Sequence, residues 1–282
     1  RTPDGEMTQD FTITAQGHGT YVHACTKKPI QGPEDLALAR KYEPGPSEEY
    51  KKRVRDRIAV IKNALGENGV IGTWGPHGPF NVASLLINHE DLYSLFIVEP
   101  EFYKDLMEFA LERSYGYISV IDEAGTDIHC IGGNVPGGFL GKPSYDEYIL
   151  PYEKQLVAHA QKNGTPGMYH NCGEIMNLVE SYKELGVAIV EPFSPPPLGD
   201  VADLGEAKRR SGGAYVMLSG IDQVNVLQKG TVDDTKRITE KTMKTGKEGG
   251  KFIMQPVDFL EYGTPVENVQ AYVDTALQFA AY

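Results

Sequence analysis

Cysteine is scarce in this chain. Its three copies in 282 residues, Cys25, Cys130 and Cys172, are too few and too scattered for a disulfide framework. The scarcity points to a reducing, cytoplasmic setting, where a free thiolate survives as a ligand or nucleophile. Positive charge is short as well. Lys and Arg number 27 against 39 Asp and Glu, a formal net charge of −12, which argues against nucleic acid or an anionic membrane as the main partner. No apolar run reaches the length that crosses a bilayer. No Gly-x-Gly-x-x-Gly follows any strand-like run, so the dinucleotide fingerprint is missing. Tryptophan occurs once, at Trp74, and there is no low-complexity segment.

What is present suits one globular enzyme. The apolar fraction is 40% and the charged fraction 23%, both ordinary for a soluble domain, and residues 1–282 are expected to fold as a single one. Residues 1–30 read as an antiparallel ribbon: turn chemistry in TPDGE, alternation in FTITAQ, a break at GHG, alternation again in TYVHAC. His18 and His23 fall on this ribbon as surface residues. A helix is expected over 47–66, capped by Ser47 and stopped by Gly66.

Between 47 and 282 a strand–loop–helix rhythm sets in. The expected strands are VIGTWG (70–75), DIHCIG (127–132), GMYHNC (167–172), AIVEPF (188–193), YVMLSG (215–220) and KFIMQPV (251–257). Helical stretches between them include EPEFYKDLMEFALERSYGYISVIDEAG, SYDEYILPYEKQLVAHAQKNG and GEIMNLVESYKELG. Such alternation means a parallel sheet with right-handed crossovers. Six strands suit an open Rossmann-like sheet or most of a (β/α)8 barrel, and the missing fingerprint favours the barrel. The abrupt start on a turn and strand leads to the expectation that an N-terminal portion of that barrel is absent from this chain. The ribbon edge at 1–25 is then a surface for that portion, or for another subunit of a homo-oligomer.

Chemically able residues gather at the C-terminal strand ends, which converge on the mouth of a barrel. In MYHNCGEI, His170 and Cys172 lie two apart on a strand and so point the same way. An imidazole and a thiolate facing one space suit zinc. Glu191 ends the next strand and completes a His–Cys–Glu set with an open position. The plainer alternative is a buried Cys172 with a hydrogen-bonded His170 beside it. Around them, His129 is placed between lining the site and a buried hydrogen bond, since it and Cys130 point to opposite faces. Asp222 is a candidate for orienting substrate or for capping a helix. Trp74 is a candidate stacking surface or a packing residue. The loop GGNVPGGF, with Asn134, reads as a possible mobile lid without a phosphate-binding lysine. EPFSPPPLGD is stiffened by proline and offers Phe193 to a pocket.

These stretches carry a resemblance. RTPDGE, GPHGPFNVASLL with VEPEFYKDLMEFALE, EAGTDIHCIGG with PSYDEYILPYEKQLV, YHNCGE, GIDQVNVLQKGT and TPVENVQAYV, in that order and spacing, resemble the uroporphyrinogen decarboxylase superfamily, in particular its zinc-dependent corrinoid methyltransferase branch. The resemblance spans almost the whole chain and implies a (β/α)8 barrel. It also implies a zinc ion and a corrinoid carried by a partner protein. His-x-Cys matches His170 and Cys172. Glu191 matches the ligand of a similar zinc methyltransferase that makes methionine without cobalamin. The branch carries a further Cys before its Thr-Pro-x-Glu-Asn helix start, matched here by Thr264, Pro265, Glu267 and Asn268. No Cys precedes it; Asp258 falls at or near the place, with Gln255 another possible register.

On this reading the metal ligands are His170, Cys172, Glu191 and Asp258. The catalytic candidates are Glu191, Asp222 and His129, and the residues expected to contact the cofactor are Trp74, Asn134 and Phe193. Zinc can polarise a methylated oxygen or nitrogen, or bind a thiol acceptor as thiolate. A site with one thiolate leans towards a methoxy oxygen. The expected function is methyl transfer from a small methylated substrate to a corrinoid protein, or from corrinoid to a thiol. Two alternatives stand beside it. A porphyrinogen decarboxylase would need several cations at the mouth, where the strand ends carry almost none. The missing Cys motivates the other, a non-catalytic corrinoid-protein partner.

Overall fold

A computed structural model of the chain describes residues 1–17, 20–133, 135 and 137–281. The chain begins with the antiparallel pair β1 (Asp10–Gly17) and β2 (Thr20–Lys27), in which Phe11 faces Cys25 and Ile13 faces His23. His18 lies outside the described residues. Then come α1 (Pro33–Tyr42), α2 (Glu48–Leu65), β3 (Gly72–His77), α3 (Pro79–Leu86), α4 (His89–Val98), α5 (Pro100–Glu123) and β4 (Ile128–Gly132). The chain continues through α6 (Gly137–Ser144), α7 (Leu150–Ala160), β5 (Gly167–His170), α8 (Ser181–Leu185), β6 (Ile189–Phe193), α9 (Leu204–Ser211) and β7 (Val216–Ile221). It closes with α10 (Val232–Lys247), β8 (Phe252–Pro256) and α11 (Val266–Gln278).

Strands β3 to β8 form one parallel sheet in sequence order, β3-β4-β5-β6-β7-β8. All six strands read from the sequence are present, each followed by helix. This is the wall of a (β/α)8 barrel with six of its strands, and the antiparallel pair stands outside it. No helix among the described residues is long and apolar enough to cross a membrane.

Local chemistry explains the boundaries. Ser47 accepts the Tyr50 amide at the start of α2, and Gly66 ends it with φ 56, which an L side chain would resist. Thr231 and Asp234 form a reciprocal capping box on α10. The expected helix in GEIMNLVESYKELG is instead a 3-10 turn at Met176–Leu178 followed by the short α8. Tertiary donors take its carbonyls: Arg210 bonds Met176 O at 2.6 Å and Tyr215 Oη bonds Val179 O at 3.1 Å. Those carbonyls are then satisfied without a continuous helix.

The sheet separates two kinds of packing. Ile131, Tyr169, Val190 and Met217 point outward into the main core with the helices. Cys130, Met168, Ile189 and Leu218 point inward and form a cluster of their own, neighbours by strand register. Two residues further along the inward face come Gly132, His170, Glu191 and Gly220, at the C-terminal end of the barrel.

Candidate active site

Alternation along β5 and β6 dictates the centre of the site. Met168 and Ile189 pair in register on the inner face, so His170 and Glu191 must pair there too, and they do. His170 Nδ1 lies 3.1 Å from Glu191 Oε1. The other carboxylate oxygen, Oε2, accepts from Gln255 Nε2 at 3.0 Å. Gln255 comes from β8 and faces Gly220 in register. A side chain at Gly220 would run into the Gln255 backbone, and its absence leaves β7 bare where Glu191 and Gln255 meet across it. Glu191 is 6% exposed. Two donors to a buried carboxylate are what keep its charge tolerable there.

Cys172 continues beyond β5 and hydrogen-bonds His170. Burial by itself lowers the imidazole's affinity for a proton. Hydrogen bonds to Cys172 and Glu191, with their charges, outweigh it and raise the His170 pKa to about 9. An imidazole raised that far carries a proton on both nitrogens near neutrality, and Nδ1 donates to Glu191 Oε1, which fixes the ring. The Trp74 ring stands edge-on to His170, centroids 5.0 Å apart, and is 62% exposed. It therefore forms an open aromatic wall beside the centre. His77, at the end of β3, also faces this region; desolvation and the nearby His170 both lower its pKa.

The loop after β4, read from the sequence as a possible lid, is stitched down at its described residues. Gly133 N bonds His170 O at 2.9 Å and Val135 N bonds Asn171 Oδ1 at 2.8 Å. Asn177 Nδ2 reaches Gly137 O at 2.7 Å. Asn171, between the two candidate ligands, turns outward and also bonds Tyr182 Oη at 2.8 Å. The proline-rich loop after β6 braces the far side of Cys172: Asp200 accepts the amides of Ile175 and Met176.

Several expected site residues stand elsewhere. His129 is fully buried on the outer face of β4, with Nδ1 2.7 Å from Ala160 O and Nε2 3.7 Å from Asp122. Strand alternation spends the inner position on Cys130. Phe193 packs outward, stacked on Tyr215 in the main core. Asp222 spends its carboxylate on a cap, accepting Val224 N, Asn225 N and Asn225 Nδ2 at 2.7–2.8 Å. Asp258 lies exposed beyond β8, its oxygen turned to the Phe259 amide. The strand register brings Gln255, not Asp258, to Glu191. Asn134 lies outside the described residues.

The donors that converge are thus an imidazole, a thiol and a carboxylate, with an amide opposite. That set has the nitrogen, sulfur and oxygen chemistry that suits zinc. As the side chains stand, no three His, Cys, Asp or Glu among the described residues form a ready metal cage. Glu191 uses both oxygens on His170 and Gln255. In this position it acts as the orienting carboxylate of a histidine, a partner that metal-binding histidines commonly have.

Comparison with known proteins gives a family model described as Uroporphyrinogen decarboxylase (URO-D), which matches residues 9–279. A methylcobamide:CoM methyltransferase of Methanosarcina barkeri is 24% identical over 222 residues, 78% of this chain and 61% of that protein. A uroporphyrinogen decarboxylase of Streptomyces avermitilis is 26% identical over 234 residues, 80% of this chain and 61% of that protein. The chain spans about three fifths of the length of these curated relatives. A solved structure described as a methyltransferase from Methanosarcina mazei superposes with a TM-score of 0.75 at 20% identity. It covers 98% of this chain and 77% of that one, and shares the fold.

Proposed function

The chain belongs to the uroporphyrinogen decarboxylase family, and from that premise we propose that it is a zinc-dependent methyltransferase of a corrinoid system. It moves a methyl group from a small methylated, preferentially methoxylated, substrate to a corrinoid protein. The observation that carries this reading is the convergence of His170, Cys172 and Glu191 at the barrel mouth, with His170 bonded to both of the others. The names of the methylcobamide:CoM methyltransferase relatives support a corrinoid methyltransferase; they name the methylcobamide as donor, so the direction of transfer rests on the ligand set and not on those names.

His170 and Cys172 would hold the zinc, and Glu191 would either fix His170 through Nδ1 or become the third donor. When bound, zinc supplies Lewis acidity that weakens the bond from a methyl carbon to its oxygen. Around it the chain's own groups divide the work. Gln255 holds the second oxygen of Glu191 in place. Trp74 offers a flat, exposed face on which a planar methoxylated substrate can stack beside His170. The bonds from the Gly133 and Val135 amides to His170 and Asn171, and the brace from Asp200, fix the backbone on either side of Cys172. With an amide where the branch has another thiolate, the site carries one thiolate only. A low thiolate count favours an oxygen ligand over a thiol acceptor.

The test is metal analysis with activity. Purified protein should carry about one zinc per chain, lost in Cys172→Ser. It should demethylate a methoxylated aromatic with free cob(I)alamin, and Glu191→Ala should lower both properties. Protein that binds no zinc, with Cys172→Ser and Glu191→Ala fully active, would sink this reading. A porphyrinogen decarboxylase is the second reading, since a relative carries that name. It predicts carbon dioxide release from a porphyrinogen carboxylate without metal.

A further inference from the structure

At the opposite end of the barrel from His170 lies a second cavity, of about 440 Å³. It opens where α9 and α10 end and where β7 and β8 begin. Its charged lining residues are Lys208, Arg209, Lys251 and Glu248, and Tyr215 and Met217 contribute its inner wall. A net positive cavity is unexpected in a chain with a formal charge of −12.

Cations at a helix C-terminus often only complement the helix dipole. Two features go beyond that. Lys208 leaves its own helix end and donates to Gly250 O at 2.8 Å, across the cavity. Neither it nor Lys251 makes an ion pair within 4 Å among the described residues. Lys251 lies beyond α10, not in it, and is the single non-glycine residue with positive φ, 53°, among those described. A lysine is an unfavoured choice for that conformation, which glycine adopts freely. Lys251 is nonetheless one of the residues that line the cavity. Gly212, Gly213, Gly249 and Gly250 share the positive φ, and a Cβ at the last three would meet nothing within 4 Å. The cavity wall is therefore open beside the cations, but the amides of Gly212, Gly213 and Gly250 are taken by Lys208 O and Arg209 O, Ser211 Oγ and Lys247 O, so ligand contact falls to the side chains.

We propose that this cavity binds a small organic phosphate, with its phosphate group held by Lys208 and Lys251 and by Arg209 at the rim. A phosphate monoester carries a charge of roughly −1.5 to −2 near neutrality, which Lys208 and Lys251 meet inside the cavity, while Arg209 at the rim also lies 3.8 Å from Asp203. The volume exceeds what a bare oxyanion fills and falls in the range of small-molecule sites, so an organic portion can rest against Tyr215 and Met217. The site is separate from the one at His170 and does not depend on its chemistry.

The experiment is thermal melting of the whole chain with inorganic phosphate or phenyl phosphate, at ionic strength matched with sodium chloride. Calorimetric titration of the same ligands accompanies it. Both phosphates should raise the melting temperature saturably, by about 5 °C near saturation, and the tighter of the two reports whether the free ion or the ester is the natural form. Lys208→Met and Lys251→Gly should each weaken binding at least roughly tenfold. Lys251→Gly should melt higher than the native chain without ligand, because glycine relieves the positive φ. Lost binding in that variant is then not lost folding. A melting shift that chloride reproduces, or unchanged affinity in both variants, overturns the proposal.

Discussion

Replacing Glu153 by Gln should flatten the pH dependence of stability between about pH 5 and pH 8. Glu153 projects from α7 into the outer core and is 1% exposed. Neither oxygen has a hydrogen-bond partner of good geometry. Its carboxyl sits against Gly78, where a Cβ would collide with it, at the foot of α3. Desolvation raises its pKa from 4.5 to about 8, and the approaching Phe80 amide offsets part of that. In the unfolded chain the group ionises near its ordinary value. Between the two values the folded protein holds a proton that the unfolded chain has released. Stability is therefore complete below about pH 4.5 and is lost as pH rises through 8. Each unit of that window is worth ~1.4 kcal/mol, so the ceiling is about 5 kcal/mol, and rearrangement around the ionised group reduces it to about 2–4 kcal/mol. Glutamine has the same shape and no proton to lose. Urea unfolding at pH 5, 6, 7 and 8 should show the native chain weakening steadily and Glu153→Gln changing less by that amount. At pH 8 the variant should be the more stable of the two. Parallel profiles for the two proteins would refute the reasoning.

Two further outcomes follow from the site. Gln255→Cys puts a thiolate opposite His170 and should tighten zinc on the order of tenfold or more, measured by competition with a chelating dye; unchanged or weaker affinity would mean that Gln255 does not face the metal position. Asp222→Ala removes two amide acceptances and one side-chain bond from the turn after β7. It should cost about 2 kcal/mol in urea unfolding and leave zinc content unchanged, whereas loss of zinc would return Asp222 to the active site.

The barrel was legible because its signals are local. Apolar runs mark each β/α unit, Ser47 and Gly66 bound α2 and Thr231 caps α10, and the six strands fall within two residues of where alternation places them. Two elements were not legible. The segment after Cys172 has a helical pattern, but Arg210 and Tyr215, more than thirty residues away in sequence, take its carbonyls. The inward or outward sense of His129 against Cys130 is also undetermined locally, since either residue can be buried. It is settled by register with Met168, which needs the neighbouring strand.

The same logic separates the centre of the site from its periphery. His170, Cys172 and Glu191 were readable because strand alternation and adjacency act over one or two residues. Asp258 was misplaced because a sequence match aligns the last ligand by its distance from the following helix, whereas the sheet places it by register. Register puts Gln255 opposite Gly220, and only there can a side chain from β8 meet Glu191 across β7. The amide is thereby engaged with a carboxylate that also orients His170. Exchange of a thiolate for this amide removes one metal donor and adds a donor to Glu191. On the proposed reading, a zinc ion held by His170 and Cys172 would then have one negative charge fewer around it than with a second thiolate, and a more electrophilic metal would favour polarising a methoxy oxygen over activating a thiol. Gln255→Cys would therefore shift the preferred reaction towards thiol methylation as well as tighten the metal. Methyl transfer from methylcobalamin to a thiol, compared between the native chain and the variant, measures that shift; a variant with tighter zinc and no gain in thiol methylation would separate metal affinity from the choice of substrate.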